Sequence, residues 1–321
     1  PSRAPSHAPL RTHFLTMPPL DEPTRTWIER ATGATVRSAA PLAGGCIADV
    51  LRIDLDDAPP VVLKRGDDSL AIEADMLRTL AERSELPVPR VVAEAPAAIL
   101  VEHVTAGGSL TDRAQAHAAD LLAALHSITP HHHAAAGPDG QTFGFERHTL
   151  IGPLHQPNDW APTWLDFFRD NRLLHMTRLA SDHGALPHRL RDRLERFAAD
   201  LTESDCPPPA GARGPHGRLL HGDCWTGNVL VAPDNSRIAA FIDPAVYYGS
   251  PEIELAFTTL FGTFSRPFFD RYAERSDAVA DWPGFFDRRR DLYNLYPLLV
   301  HVRLFGAGYL TQLTNTLDRV N

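Results

Sequence analysis

The chain is 321 residues long, 43% apolar and 22% charged, enough for one large hydrophobic core or two ordinary ones. A net charge of -9, a pI near 6.0 and the lack of any basic stripe exclude a nucleic-acid partner held through phosphate neutralisation. No apolar run is long enough for a membrane span. Cys46, Cys206 and Cys224 are too few and too scattered for a disulfide framework or a cysteine zinc site, so a reducing cytoplasm is the expected setting.

Residues 1–16, rich in Pro, Ser, Arg and His and without a secretory signal's apolar core, read as a disordered extension with Met17 as a natural start. A short amphipathic helix is expected over 24–34, and a hairpin over 39–53 follows it with Gly44 and Gly45 at the turn. Two residues without side chains let backbone N–H groups come close to phosphates, although a Gly-Gly pair alone fits an ordinary turn equally well. Cys46 comes next, where those N–H groups and a nearby lysine would favour an oxidisable thiolate; the plainer alternative is a small residue filling the hairpin. Pro60-Val61-Val62-Leu63-Lys64-Arg65 alternates as a strand. Asp67-Asp68-Ser69 then opens a helix to about Ser84, with Leu70, Met76, Leu77 and Leu80 at helical spacing and Glu73 in its first turns. Strands over 86–92 and 98–104 complete this part.

A helix from Asp112 to Ser127 begins a more helical half, its Leu121, Leu122 and Leu125 directed to a core. His131-His132-His133 reads as a solvent loop, because adjacent histidines converge poorly on one ion and no acidic or cysteine partner lies near. The aromatic segment 158–168 fits a sugar pocket or a packed helix equally. Charged amphipathic helices are expected within 173–202, and Pro207-Pro208-Pro209-Ala210-Gly211 breaks the chain after them.

The stretch from Leu219 to Val231, followed by Ile242-Asp243-Pro244, carries the chemistry. Asp223, Asn228 five positions on, and Asp243 after a return of the chain stand in the order that phosphoryl-transfer sites use for a base and two metal ligands. Asp223 would accept a proton from an attacking hydroxyl, and Asn228 and Asp243 would hold Mg²⁺ against the phosphates of ATP, hard oxygens for a hard cation. Val229-Leu230-Val231 and Ile238 to Ile242 flank a turn-rich linker, so a β-hairpin would bring Asn228 and Asp243 to the same end. Composition adds Lys64: of 31 basic residues it is the one lysine, the other 30 being arginine. A chain that uses arginine almost everywhere keeps lysine where a compact ammonium fits and a planar fork does not, and an ATP phosphate site is such a place.

His-Gly-Asp-x-Trp-x-Gly-Asn over 221–228, followed by Ile-Asp-Pro-Ala-x-Tyr-Tyr-Gly over 242–249, resembles the fructosamine kinase family, relatives of the aminoglycoside phosphotransferases and choline kinases. The resemblance covers roughly residues 36–310. It implies an α+β, protein-kinase-like two-lobe fold: a small antiparallel N-terminal lobe with one long helix over 17–105, and a larger, mainly helical catalytic and substrate lobe over 106–321. It implies a Lys64–Glu73 pair directed to the α- and β-phosphates, adenine held by the backbone of Glu102, His103 and Val104, and an acceptor site at Trp225 and His221. Acceptor choice would rest on Trp225 and the Asp243-to-Gly249 segment. The implied reaction is ATP-dependent phosphorylation of a ketosamine hydroxyl, at the 3-position of fructosamine- or ribulosamine-type adducts, on free amines or on glycated protein, by a monomer or homodimer. An aminoglycoside- or choline-type kinase is the alternative enzyme, and a nucleotide-binding pseudokinase the non-catalytic one. Relatives often carry Asp where Glu254 stands, so Glu254 is expected to be structural.

Overall fold

This computed structural model describes residues 20–42 and 49–321; the expected extension over 1–16 and the turn residues Gly44, Gly45 and Cys46 lie outside the described residues. Helix α1 (Glu22–Thr32) starts where the Asp21 carboxylate accepts from Thr24 N–H at 2.9 Å and ends at Gly33, whose φ of 71° takes it out of the helix. Five antiparallel strands follow, β1 (Val36–Pro41), β2 (Asp49–Leu55), β3 (Val61–Arg65), β4 (Val91–Ala95) and β5 (Ala98–Glu102), in the order β1-β2-β3-β5-β4. Helix α2 (Ser69–Arg83) joins β3 to β4.

The two-residue repeat of the strands sorts the sheet into two faces. Leu51, Ile53, Val61 and Leu63 pack with Ile28 of α1, while Val62, Ile99 and Val101 pack with Leu70, Ala74 and Leu77 of α2. Lys64 alternates onto the same face as Val62 and therefore towards α2.

The rest of the chain is mainly helical. Helix α3 (Asp112–Leu125) is capped by Thr111, and a short hairpin of β6 (Thr149–Ile151) and β7 (Leu154–Gln156) follows it. Helix α4 (Trp164–Phe167) widens into a π-helical stretch, Phe168–Leu174, and continues as α5 (His175–Asp182); α6 is His188–Asp200. Four short strands, β8 (Arg218–Leu220), β9 (Val229–Val231), β10 (Ile238–Phe241) and β11 (Tyr247–Gly249), pair as β8 with β11 and β9 with β10. Helices α7 (Pro251–Leu260), α8 (Arg266–Arg275), α9 (Trp282–Gly284), α10 (Arg290–Phe305) and α11 (Leu310–Val320) close the chain.

The aromatic segment at 158–168 belongs to the core of this half: Trp164, Phe167 and Phe168 are buried, and the Trp164 indole N–H donates to the Tyr293 hydroxyl at 2.9 Å. Met76, Leu80 and Leu86 join the same core, so α2 belongs to both halves. A small antiparallel sheet with one long helix beside a larger helical lobe is the protein-kinase-like arrangement. No helix among the described residues is long and apolar enough to cross a membrane.

Candidate active site

On the sheet side, Lys64 Nζ lies 2.5 Å from a Glu73 carboxylate oxygen and also touches the Asp243 carboxylate, which comes from the other lobe. The spacing of α2 explains the first contact. Glu73 neighbours Ala74, and both fall on the face that meets β3 through Leu70 and Leu77. Burial works against the Lys64 ammonium, but the charges of Glu73 and then Asp243 outweigh it and raise its pKa above the ordinary lysine value. Helix α2 is tied to the helical lobe both at its C-terminal end and midway along it. Arg83 donates to the Tyr248 hydroxyl at 3.1 Å and pairs with Glu146 at 2.7 Å, and Arg147 pairs with Asp75.

The opposite wall is the loop from His221 to Asn228, held between β8 and β9. Gly222 has a φ of 86°, and a Cβ there would sit 2.0 Å from the Ala245 carbonyl oxygen, so only glycine lets the loop lie this close to the chain beyond Asp243. Ala245 N–H donates to the His221 carbonyl at 2.7 Å and locks that approach. The β9–β10 hairpin returns the chain so that Ile242 N–H donates to the Asn228 carbonyl at 3.0 Å, which sets Asn228 and Asp243 side by side. Asn228 Nδ2 donates to the Asp223 carboxylate at 2.8 Å and to its carbonyl at 2.9 Å, and Asn228 Oδ1 has no donor among the described residues. Burial, and then the charge of Asp243, raise the Asp223 pKa well above the ordinary carboxylate range. Asp243 takes a left-handed φ of 53°, a strained backbone state of the kind that collects at functional sites.

Oxygen donors with excess negative charge suit a divalent cation. Among the described residues no cluster of three His, Cys, Asp or Glu could hold an ion unaided. The oxygens of Asn228 and Asp243 would suit Mg²⁺, which takes one or two protein oxygens and completes its shell from substrate phosphates and water.

Beneath the loop lies a buried network that the sequence did not reveal. Glu254 accepts from Gly222 N–H at 2.6 Å and from His221 N–H at 3.2 Å, and its second oxygen also meets His126 Nε2 at 2.8 Å. His126 Nδ1 is 2.8 Å from the Tyr272 hydroxyl. Burial alone would raise the Glu254 pKa, but the His126 hydrogen bond and the charges and N–H groups around it lower it below the ordinary glutamate value. Glu254 is thus structural in a specific way: it fixes the backbone next to Asp223. The resemblance gave Glu254 a structural role without naming its partners, and nothing in the sequence pointed to His126, 128 residues away.

Several expected residues are placed differently. His221, expected at the acceptor, has no exposed surface; its Nδ1 accepts from Asp223 N–H at 3.3 Å, so it shapes the loop from within and cannot touch a substrate. Tyr247 and Tyr248 are buried too, Tyr247 against the Arg172 guanidinium at 3.9 Å, so this segment is scaffold and not an acceptor surface. Of the hinge residues, Glu102 has its N–H committed to the Arg90 carbonyl at 2.9 Å, whereas His103 and Val104 make no backbone hydrogen bonds among the described residues. Trp225 is half-buried, its indole folded over Gly227 and its edge set on Phe261 at 5.8 Å. Cys224 is buried, and burial pushes its thiol well above the ordinary range, so it is a packed residue and not a reactive one. His132 accepts Thr129 N–H at 2.9 Å and His131 packs on His216, an arrangement that spreads the three histidines apart.

Residues 21–321 match the family model described as fructosamine kinase. The chain is 36% identical to a candidate ketoamine kinase of Synechocystis over 203 residues, a match spanning 62% of this chain and 59% of that protein. It is 30% identical to the chloroplastic protein-ribulosamine 3-kinase of Arabidopsis thaliana, across 96% of this chain and 90% of the relative. The crystal structure of a candidate fructosamine-3-kinase from Thermobifida fusca superposes with a TM-score of 0.74 at 30% identity, covering 92% of this chain and 97% of that one.

Proposed function

Since the chain belongs to the fructosamine kinase family, we propose that it transfers the γ-phosphoryl group of ATP to a ketosamine hydroxyl, the 3-hydroxyl of a ribulosamine- or fructosamine-type adduct. The observation that carries this reading is the meeting of Lys64 and Glu73, from the sheet lobe, with Asp243, which stands beside Asn228 and Asp223 on the opposite wall. Asp223 acts as the base. Its raised pKa makes it a stronger proton acceptor than an ordinary aspartate, and Asn228 holds the accepting oxygen by a single hydrogen bond that leaves the rest free.

Lys64 serves the nucleotide. It would keep Glu73 and give up Asp243 for the α- and β-phosphates, and Asp243 and Asn228 Oδ1 are the oxygens that would hold Mg²⁺. The cation, when bound, supplies positive charge to the β- and γ-phosphate oxygens. The free backbone groups of His103 and Val104 suit the adenine edge. Trp225, two residues past the base, offers an indole face to the apolar side of the sugar. The amine released after decomposition of the phosphorylated adduct would be a small molecule or a protein lysine.

The test is ADP release by the purified protein with ATP and Mg²⁺, offered ribulosamines, fructosamines, an aminoglycoside and choline in separate reactions. Turnover with the ketosamines and not the others is expected. Turnover with the aminoglycoside or choline alone would overturn the acceptor assignment, and ATP binding without turnover on any acceptor would point to a pseudokinase.

A further inference from the structure

The large apolar side chains among the described residues are nearly all buried or half-buried. Among the described residues the exposed exceptions are Leu42, at 36%, and Phe305, at 52%. Phe305 is the last residue of α10. Gly306 ends that helix with φ 75° and ψ -148°, a backbone state reserved for glycine, and leaves the Phe305 ring projecting.

Phe305 is also the end of a continuous aromatic row that starts in the catalytic loop. Trp225 meets Phe261 edge-on at 5.8 Å, Phe261 meets His301 at 4.8 Å, and His301 meets Tyr309 at 4.9 Å and Phe305 at 5.5 Å. His301 anchors the row: its Nδ1–H donates to the Pro297 carbonyl at 2.7 Å, and burial lowers its pKa and keeps the ring neutral. The remaining members are half-buried, presenting ring surface without leaving the core. None of the five side chains is acidic.

The occupant follows from the chemistry of the acceptor, so this inference rests on the ketosamine reading above. In a ketosamine the amine nitrogen is on C1, three bonds from C3. With the 3-hydroxyl at Asp223 and the sugar beside Trp225, whatever the nitrogen carries must leave the sugar close to the start of the row. A protonated secondary amine gains from an adjacent indole face, and an apolar substituent beyond it gains by covering aromatic surface that water otherwise wets. We propose that the row from Trp225 through Phe261 to Tyr309 and Phe305 is the subsite for the amine half of the substrate, and that the protein favours adducts whose nitrogen carries an apolar, above all aromatic, substituent.

The test compares kcat/KM for three fructosamines that differ only in the amine: glycine, benzylamine and an Nα-blocked lysine amide. The benzylamine adduct is expected to exceed the glycine adduct by about three- to ten-fold, the range one aromatic contact supplies. Phe305→Ala should abolish most of that ratio through KM for the adduct, and Phe305→Tyr, which keeps the ring, should restore it. The blocked lysine tells whether the same surface accepts a protein-borne alkyl chain; a ratio to glycine that also falls in Phe305→Ala places that chain on the row. Equal kcat/KM for benzylamine and glycine adducts, or a ratio untouched by Phe305→Ala, would overturn the subsite while leaving the ketosamine reading intact. No turnover on any of the three would overturn both.

Discussion

Lys64 and Glu73 meet at the edge of the cleft with 13% and 17% of their side chains in reach of solvent, and their third partner, Asp243, is 47% exposed. The Asp223 loop, by contrast, rests on Glu254 and His126, whose side chains are both fully buried. The exposed Asp243 carboxylate can leave Lys64 for water at little cost, whereas a buried carboxylate with several donors resists any change. The contact of Lys64 with Asp243 is therefore the part of the site that can be remade, and the loop carrying Asp223 the part that stays put.

The largest effect should come from removing the proposed base on the fixed side. Asp223→Asn is expected to lower kcat by roughly 10²–10⁴-fold, the usual contribution of general-base catalysis. The same substitution should stabilise the free protein at neutral pH. The folded-state pKa of Asp223 is raised, so the fold disfavours its charged form. That cost is absent below the ordinary value near 3.9 and grows by about 1.4 kcal/mol for each pH unit until the folded pKa is passed. Urea midpoints of wild type and variant should thus diverge as pH rises from about 4 until the folded-state pKa is passed, with the variant the more stable. Parallel curves, or an active Asn variant, would remove Asp223 from the role.

On the adaptable side, Lys64→Arg keeps the charge and changes the shape. The guanidinium fork is broader than the ammonium that sits between Glu73 and Asp243, so turnover should fall by about 100-fold, as when one fixed phosphate or oxyanion donor is lost. Folding, followed by circular dichroism, should be near normal, because partner exchange at the cleft edge tolerates a misfit. A fully active variant would mean that the lone lysine is an accident of composition.

A smaller effect is expected at the boundary between the two sides. Trp225→Phe keeps the edge contact with Phe261 but shortens the sugar platform, and KM for the ketosamine should rise several-fold, about the worth of one aromatic contact, with KM for ATP little moved. A lowered melting temperature with unchanged KM would make Trp225 a packing residue.

How much of this could be read in the sequence follows the same division. Local periods were enough for the sheet side: the strand repeat puts Lys64 on the Val62 face, and helical spacing puts Glu73 beside Ala74 towards it. The β9–β10 hairpin was also legible, since its strands are separated by a short turn-rich linker. The support beneath Asp223 was not. His126 and Glu254 come from helices far apart in the chain, and a histidine on a core helix carries no mark of its partner. Nor could spacing tell that His221, Tyr247 and Tyr248 turn inward; their motif was visible, but burial is decided by what packs over it. The clamp on α2 by Arg83 and Arg147 was hidden among 30 arginines of equal appearance.

The smallest expected loss of turnover, and the sharpest test of the fixed side, is Glu254→Gln. The amide has a single acceptor oxygen where the carboxylate serves Gly222 N–H, His221 N–H and His126, and its NH₂ would face donors. Turnover should fall by about ten-fold through a less ordered loop, and stability should fall by about 3 kcal/mol, as when one partner of a buried charged network is removed. The pH dependence separates this from a simple packing defect. The folded-state pKa of Glu254 is lowered, so its contribution is fully present above the ordinary glutamate value near 4.3 and is lost as pH falls through the folded value. The difference in urea midpoint between wild type and Glu254→Gln should hold constant from pH 7 to about pH 5 and narrow below that. A difference that persists unchanged to pH 3 would show that the side chain acts by its shape and not by its charge, and the contrast between an adaptable and a fixed half would lose its physical basis.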